Sequence, residues 1–160
     1  MNIQGNIQVN IQVTDSKIEN EVFSLEQFTA SAPLHISASE RVPGVQGDAI
    51  DVKAWYKAWK YKHGAENVPD PTHLKVEGTD QFQAIVPWAE LDLAFLLYAQ
   101  DGHALEKGYP IRLYVPDGSS ECLNVKSVIK LWFLHEASLG AKAAYGFKNT
   151  MTVDELKLNK

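Results

Sequence analysis

Ile3, Ile7, Val9, Ile11 and Val13 fall on odd positions, and asparagine and glutamine hold the even ones between them. A strict period of two predicts a strand with one buried and one polar face. The near-repeat Asn-Ile-Gln at 2–4, 6–8 and 10–12 also has the look of an amide-rich stacking segment. Its brevity and clean alternation favour an ordinary half-buried strand.

Residues 24–28 predict a short helix, with Ser24 as N-cap and Gln27 as its capping-box partner. Residues 34–39 read as a strand and 42–47 as a loop turned at Pro43-Gly44. From 48 to 63 the pattern is helical: Asp48 or Asp51 can cap it and Gly64 stops it. Ala54, Trp55, Ala58 and Trp59 form an apolar face; Lys53, Lys57 and Lys60 form another, with Tyr56 between them. Further strands are predicted over 74–76, 81–86, 93–100, 111–115 and 125–135. A helical turn is expected at 88–91, a hairpin turn at Asp101-Gly102, and a capping box for a C-terminal helix at 152–155. Strands dominate, and neither a βαβ alternation nor a Gly-rich phosphate loop is present. The expected fold is α+β, a single domain over residues 1–160 with a mixed, mainly antiparallel sheet and few helices.

The 160 residues are enough for a substantial core, and 45% hydrophobic with 22% charged residues is ordinary for a globular chain. A net charge of −5 argues against a general nucleic-acid binder. The one cysteine, Cys122, excludes an internal disulfide and a thiolate cluster. The N-terminus lacks a basic region followed by an apolar run, and the longest apolar run, 93–99, is too short to cross a bilayer. A cytoplasmic protein with no membrane span is the expectation. Histidines 35, 63, 73, 103 and 135 show no i, i+4 spacing, and no nucleophile elbow exists. Lys53, Lys57, Lys60 and Lys62 interleave with Trp55, Tyr56, Trp59 and Tyr61, an arrangement that can hold nucleic acid or anions. Helical facing turns the tryptophans inward and the lysines to water, so a solvated face is the simpler reading.

The run Gly108-Tyr109-Pro110-Ile111-Arg112-Leu113-Tyr114-Val115-Pro116, followed by the β-rich run 124–131, resembles the C-terminal end of the molybdopterin-binding domain of sulfite-oxidase-type oxidoreductases. Segments 24–28, 47–55, 79–82 and 97–105 are similar to that family's motifs in the same order, so the resemblance covers about 21–135. It implies that family's fold and an anionic pterin site, with Arg41, Arg112 and Lys126 as the cations and Ser37 beside them. It also implies a cysteine that binds molybdenum. In the matching stretch Leu34-His35-Ile36-Ser37-Ala38-Ser39-Glu40-Arg41, aligning the alanine and arginine puts Ser37 at that position, and aligning the strand alternation puts Ala38 there. Neither is the soft thiolate donor the metal uses. Cys122 lies on a different element, and Lys130 falls one residue late of the family's second lysine, where Ile129 stands. The expected protein is therefore a degenerate family member without molybdenum catalysis that binds a small anionic ligand or a protein partner. No cofactor is expected, molybdopterin being the one such a pocket would otherwise take. The alternative is an active molybdopterin-dependent oxidoreductase with a thiol-free metal site.

Overall fold

The computed structural model describes residues 9–148, so the predicted C-terminal capping box at 152–155 and the first part of the alternating strand lie outside the described residues. Where it is described, the alternation is a strand. β1 (Ile11–Asp15) buries Ile11, Val13 and Asp15 and turns Gln12 and Thr14 outward. It folds straight back into β2 (Glu19–Phe23), which periodicity does not predict, because only Phe23 is buried there. In α1 (Leu25–Ala30) the capping box is reciprocal: Gln27 N donates to Ser24 Oγ at 3.1 Å, and Ser24 N donates to Gln27 Oε1 at 3.0 Å.

The predicted strand at 34–39 shortens to β3 (His35–Ser37), because Ala38–Glu40 close into a 3-10 turn. The predicted helix at 48–63 is also corrected. Its first four residues form β4 (Asp48–Asp51), and α2 covers Val52–Lys62. Asp51 is the cap that is used; its Oδ2 accepts from Ala54 N at 2.8 Å. The buried face of α2 is Val52, Trp55, Tyr56 and Trp59, joined by Lys60, while Ala54 and Ala58 flank it half-exposed. Tyr56 and Lys60 are thus interior residues, not members of a solvent face.

The remaining strands are β5 (His73–Gly78), β6 (Phe82–Pro87), β7 (Phe95–Gln100), β8 (His103–Ala104), β9 (Arg112–Tyr114), β10 (Val128–Leu134) and β11 (Ala144–Phe147). A 3-10 turn at Trp88–Leu91 follows β6 as predicted. Asp101 and Gly102 link β7 to β8 with φ of 53° and 79°, the left-handed pair a two-residue hairpin turn needs. One sheet runs β11-β6-β5-β10-β1-β2, with β1 parallel to β10 and its other described pairings antiparallel. The second runs β3-β4-β7, with β8 and β9 both on β7. The fold is α+β with mixed pairing.

Aromatic rings fill the space between α2 and the first sheet. Trp55 stacks on Phe28 at 4.6 Å and lies 5.7 Å from Trp59; Tyr56 meets Phe133 of β10 at 4.3 Å. Both indoles find acceptors, Trp55 Nε1 on Phe28 O at 3.0 Å and Trp59 Nε1 on Glu21 Oε1 at 2.9 Å. Truncating Trp55 or Trp59 to alanine should therefore lower stability by roughly 3–5 kcal/mol in urea unfolding. A near-neutral midpoint would refute this packing.

Glu21 joins β2 to α2. Burial pushes its carboxyl up, but hydrogen bonds from Trp59 and His63 and the charge of Lys62 outweigh that and hold it below the ordinary 4.5. A depressed folded pKa means the stabilisation is complete above about pH 4.5 and is lost as pH falls through the lower folded value. The stability gap between the wild type and Glu21→Gln should therefore narrow as urea unfolding is repeated at decreasing pH. A gap that stays constant down to pH ~3 would contradict it.

Candidate functional site

The strands that carry Ser37 and Arg112 belong to the second sheet. Register places Ile36, Ala49, Leu97 and Arg112 in one row across β3, β4, β7 and β9, and Asp51, Phe95 and Tyr114 in another. Alternation puts both rows on the same face. A small core forms there from Ala38, Ala49, Phe95, Leu97 and Leu105, with Val42 and Val45 packed against it. Segment 38–47 returns closely to the sheet at Gly47. That residue has φ of 131°, and a Cβ there would lie 2.4 Å from Ala99 O and 2.8 Å from Leu97 Cδ1. Only glycine allows this approach. Ala38 N then donates to Gly47 O at 2.9 Å and closes the loop.

Ser37, the last residue of β3, is exposed, and its side chain makes no capping bond into the turn that follows. Ala38 is completely buried. The two residues that compete for the ligand position are therefore a solvent-facing hydroxyl and an enclosed methyl. Arg41 turns inward: its Nη1 donates to Asp51 Oδ1 at 2.6 Å, to Leu93 O at 3.2 Å and to Ala94 O at 3.4 Å. Arg112 stands differently. Its guanidinium lies 4.9 Å from the Tyr114 ring centre, its Nε is buried without a hydrogen-bond partner, and no ion pair reaches it among the described residues. Lys126 is exposed. Ser127 N donates to Gly108 O at 3.2 Å and Val128 N to Ile111 O at 2.8 Å, so its segment runs beside the one that leads into Arg112.

The structure thus brings Arg112 and Lys126 onto adjoining segments. Arg41 is engaged at the start of β7. Ser37 lies on β3, three strand spacings from β9, or about 14 Å. A cavity of about 190 Å³ opens beside Tyr114 and Val42, but its charged lining is Asp117 and Glu121. Cys122 is exposed in the 3-10 turn Glu121–Leu123, and Lys130 faces Glu77 of β5 at 3.9 Å. Among the described residues, no three His, Cys, Asp or Glu side chains gather as a metal site would require.

One polar cluster has no sequence signal. Asp15, its side chain wholly enclosed, accepts from Tyr56 Oη at 2.6 Å and from Lys17 N at 2.9 Å, and meets His135 Nε2 at 3.0 Å. Burial, then the bond to Asp15, pushes the Tyr56 hydroxyl far above its ordinary value, so it remains a neutral donor. His73 is buried too, between Thr72 Oγ1 and Gly140 O, each at 2.7 Å.

No protein-family model and no curated protein matches this chain. The fold is similar to a chain in the crystal structure of the sulfane dehydrogenase SoxCD from Paracoccus pantotrophus, at 20% identity with a TM-score of 0.55. The match covers 80% of this chain and 38% of that one, so the present chain spans well under half of its neighbour's length. At that identity the likeness is one of fold. No helix among the described residues is long and apolar enough to cross a membrane.

The two arginines should separate in stability measurements. Arg41→Ala leaves the mostly buried Asp51 carboxylate without its counter-charge, at a cost of order 3 kcal/mol. Arg112→Ala removes only a ring contact and should cost under about 1 kcal/mol. Equal shifts in the urea midpoint would contradict this division.

Proposed function

We propose that this chain is a degenerate molybdopterin-oxidoreductase-like domain, without molybdenum catalysis, that binds a small anion or a protein partner. The observation that carries the reading is the state of the ligand position, an exposed Ser37 followed by a fully buried Ala38. An unassisted serine hydroxyl stays neutral near pH 7 and is a poor substitute for thiolate, and a methyl group has no donor at all. These residues do not fit a thiolate-held molybdenum centre, and no catalytic step is assigned to it. The similarity of fold to the SoxCD chain supports the scaffold part of the reading.

The anion-binding part rests on Arg112. Among the described residues no hydrogen bond or ion pair engages the Arg112 guanidinium; its Nε is enclosed, but its terminal nitrogens are uncommitted and suit a phosphate-like group. Lys126 on the neighbouring segment adds positive charge. Ser37 follows Ile36 in β3 and so faces away from the row that holds Arg112, and Arg41 is engaged by Asp51, so neither adds to this site.

The test is to purify the chain from a host that makes the pterin cofactor and measure its metal content and visible spectrum. A colourless, metal-free protein is expected. Stoichiometric molybdenum, with pterin fluorescence on denaturation, would replace this reading with that of an active, thiol-free oxidoreductase. Inorganic pyrophosphate should raise the unfolding midpoint of the wild type and not of Arg112→Ala, because a ligand stabilises only the state that binds it. No response in either protein would remove the anion site and leave the protein-binding role.

A further inference from the structure

A second cavity lies not on the second sheet but along the outer side of α2. It measures about 720 Å³ and is formed chiefly by Lys53, Ala54, Lys57, Ala58 and Tyr61, with Trp88 and the Tyr56 ring completing it. Ala54 and Ala58 lie one turn apart, so the helix surface between the longer side chains is low. The aromatic part of the groove is held in place from below. The Tyr56 hydroxyl is bonded to Asp15 at 2.6 Å, and its ring meets Trp88 edge-on at 5.4 Å. A surface fixed before binding loses little freedom when a ligand arrives.

The charges around it are uneven. Lys53 is paired with Asp92 and sits 5.1 Å from the Trp88 ring centre. Lys60 donates to Val68 O and lies 3.9 Å from Asp70. Lys57 is exposed and has no ion pair or hydrogen bond among the described residues. Three ammonium groups line the groove against two carboxylates, Glu66 and Asp70, in a chain whose net charge is −5. A polyanion would meet those acids and Asp92, which disfavours nucleic acid. One negative group on an apolar body would meet Lys57 and leave the acids in water.

We propose that the groove on α2 is a binding site for a small amphiphilic anion, an aromatic or acyl body bearing a single carboxylate or sulfonate. The body lies over Ala54, Ala58 and the Trp88 ring beside Tyr61, and the anionic head meets Lys57. The site is separate from Arg112 and does not depend on the pterin-like reading.

The probe is 8-anilinonaphthalene-1-sulfonate, titrated into the full chain with fluorescence as the readout. Saturable binding is expected, weakened about tenfold in Lys57→Glu, where a charge-assisted contact becomes a repulsion. Lys57→Arg should retain it. Ala58→Trp, which fills the groove, should abolish it, while Phe147→Ser, at an exposed aromatic on β11, should leave it unchanged. Unfolding midpoints check that each variant is folded, and Lys57→Glu, at an exposed position, decides the matter if Ala58→Trp is not. No saturable binding, binding indifferent to Lys57→Glu, or binding lost in Phe147→Ser would each overturn the proposal.

Discussion

The carboxylate of Asp15 ties together three parts of the chain that are distant in sequence. Tyr56 comes from α2, His135 follows β10, and Lys17 N belongs to the turn after β1. An enclosed carboxylate that lost these partners would face a desolvation penalty of several kcal/mol. The arrangement therefore works as a constraint on geometry more than as a source of stability. β1, α2 and the end of β10 must arrive in one relative position for the charge to be tolerated. The aromatic packing of Trp55, Tyr56 and Phe133 then supplies the favourable surface burial that the ion network does not.

Asp51 plays a related part at the N-terminus of α2. One of its oxygens caps α2 through Ala54 N, and the other holds Arg41. Arg41 also reaches the carbonyls of Leu93 and Ala94, so the 38–47 segment, the helix start and the entry to β7 meet at one node. Two arginines that look equivalent in a motif thus have different roles. Arg41 is engaged within the fold, and Arg112 keeps donors without an acceptor among the described residues.

Elements with a strong local signal were readable from the sequence: the odd-position apolar residues of β1, the reciprocal cap of α1, and the paired tryptophans of α2. The edge strands were not. β2 turns Glu19, Asn20 and Val22 to solvent, and β11 turns Tyr145 and Phe147 outward, so neither shows an inside face in its pattern. Asp48–Asp51 read as the start of the helix because acidic residues suit an N-terminus; pairing with β3 and β7 overrides that preference. At the candidate site, the missing thiol was legible because it is a matter of residue identity. The contrast between Arg41 and Arg112 was not, because it depends on acceptors as far away in sequence as Leu93 and Ala94. Burial of Tyr56 and Lys60 was hidden for a similar reason, since their partners lie outside the helix.

The parallel pairing of β1 with β10 sets Gln12 opposite Lys130 and Thr14 opposite Trp132. On the ribosome, the β1–β2 hairpin emerges long before the strand that will cover its other edge. At roughly 5–20 residues per second the wait is on the order of 6–20 s. Through that interval the nascent chain carries an open strand edge beside Ile11 and Val13, residues that end fully enclosed. The strand becomes interior to its sheet only after β10 has been made, so the order β10-β1-β2 makes closure of the first sheet wait on a partner more than a hundred residues downstream.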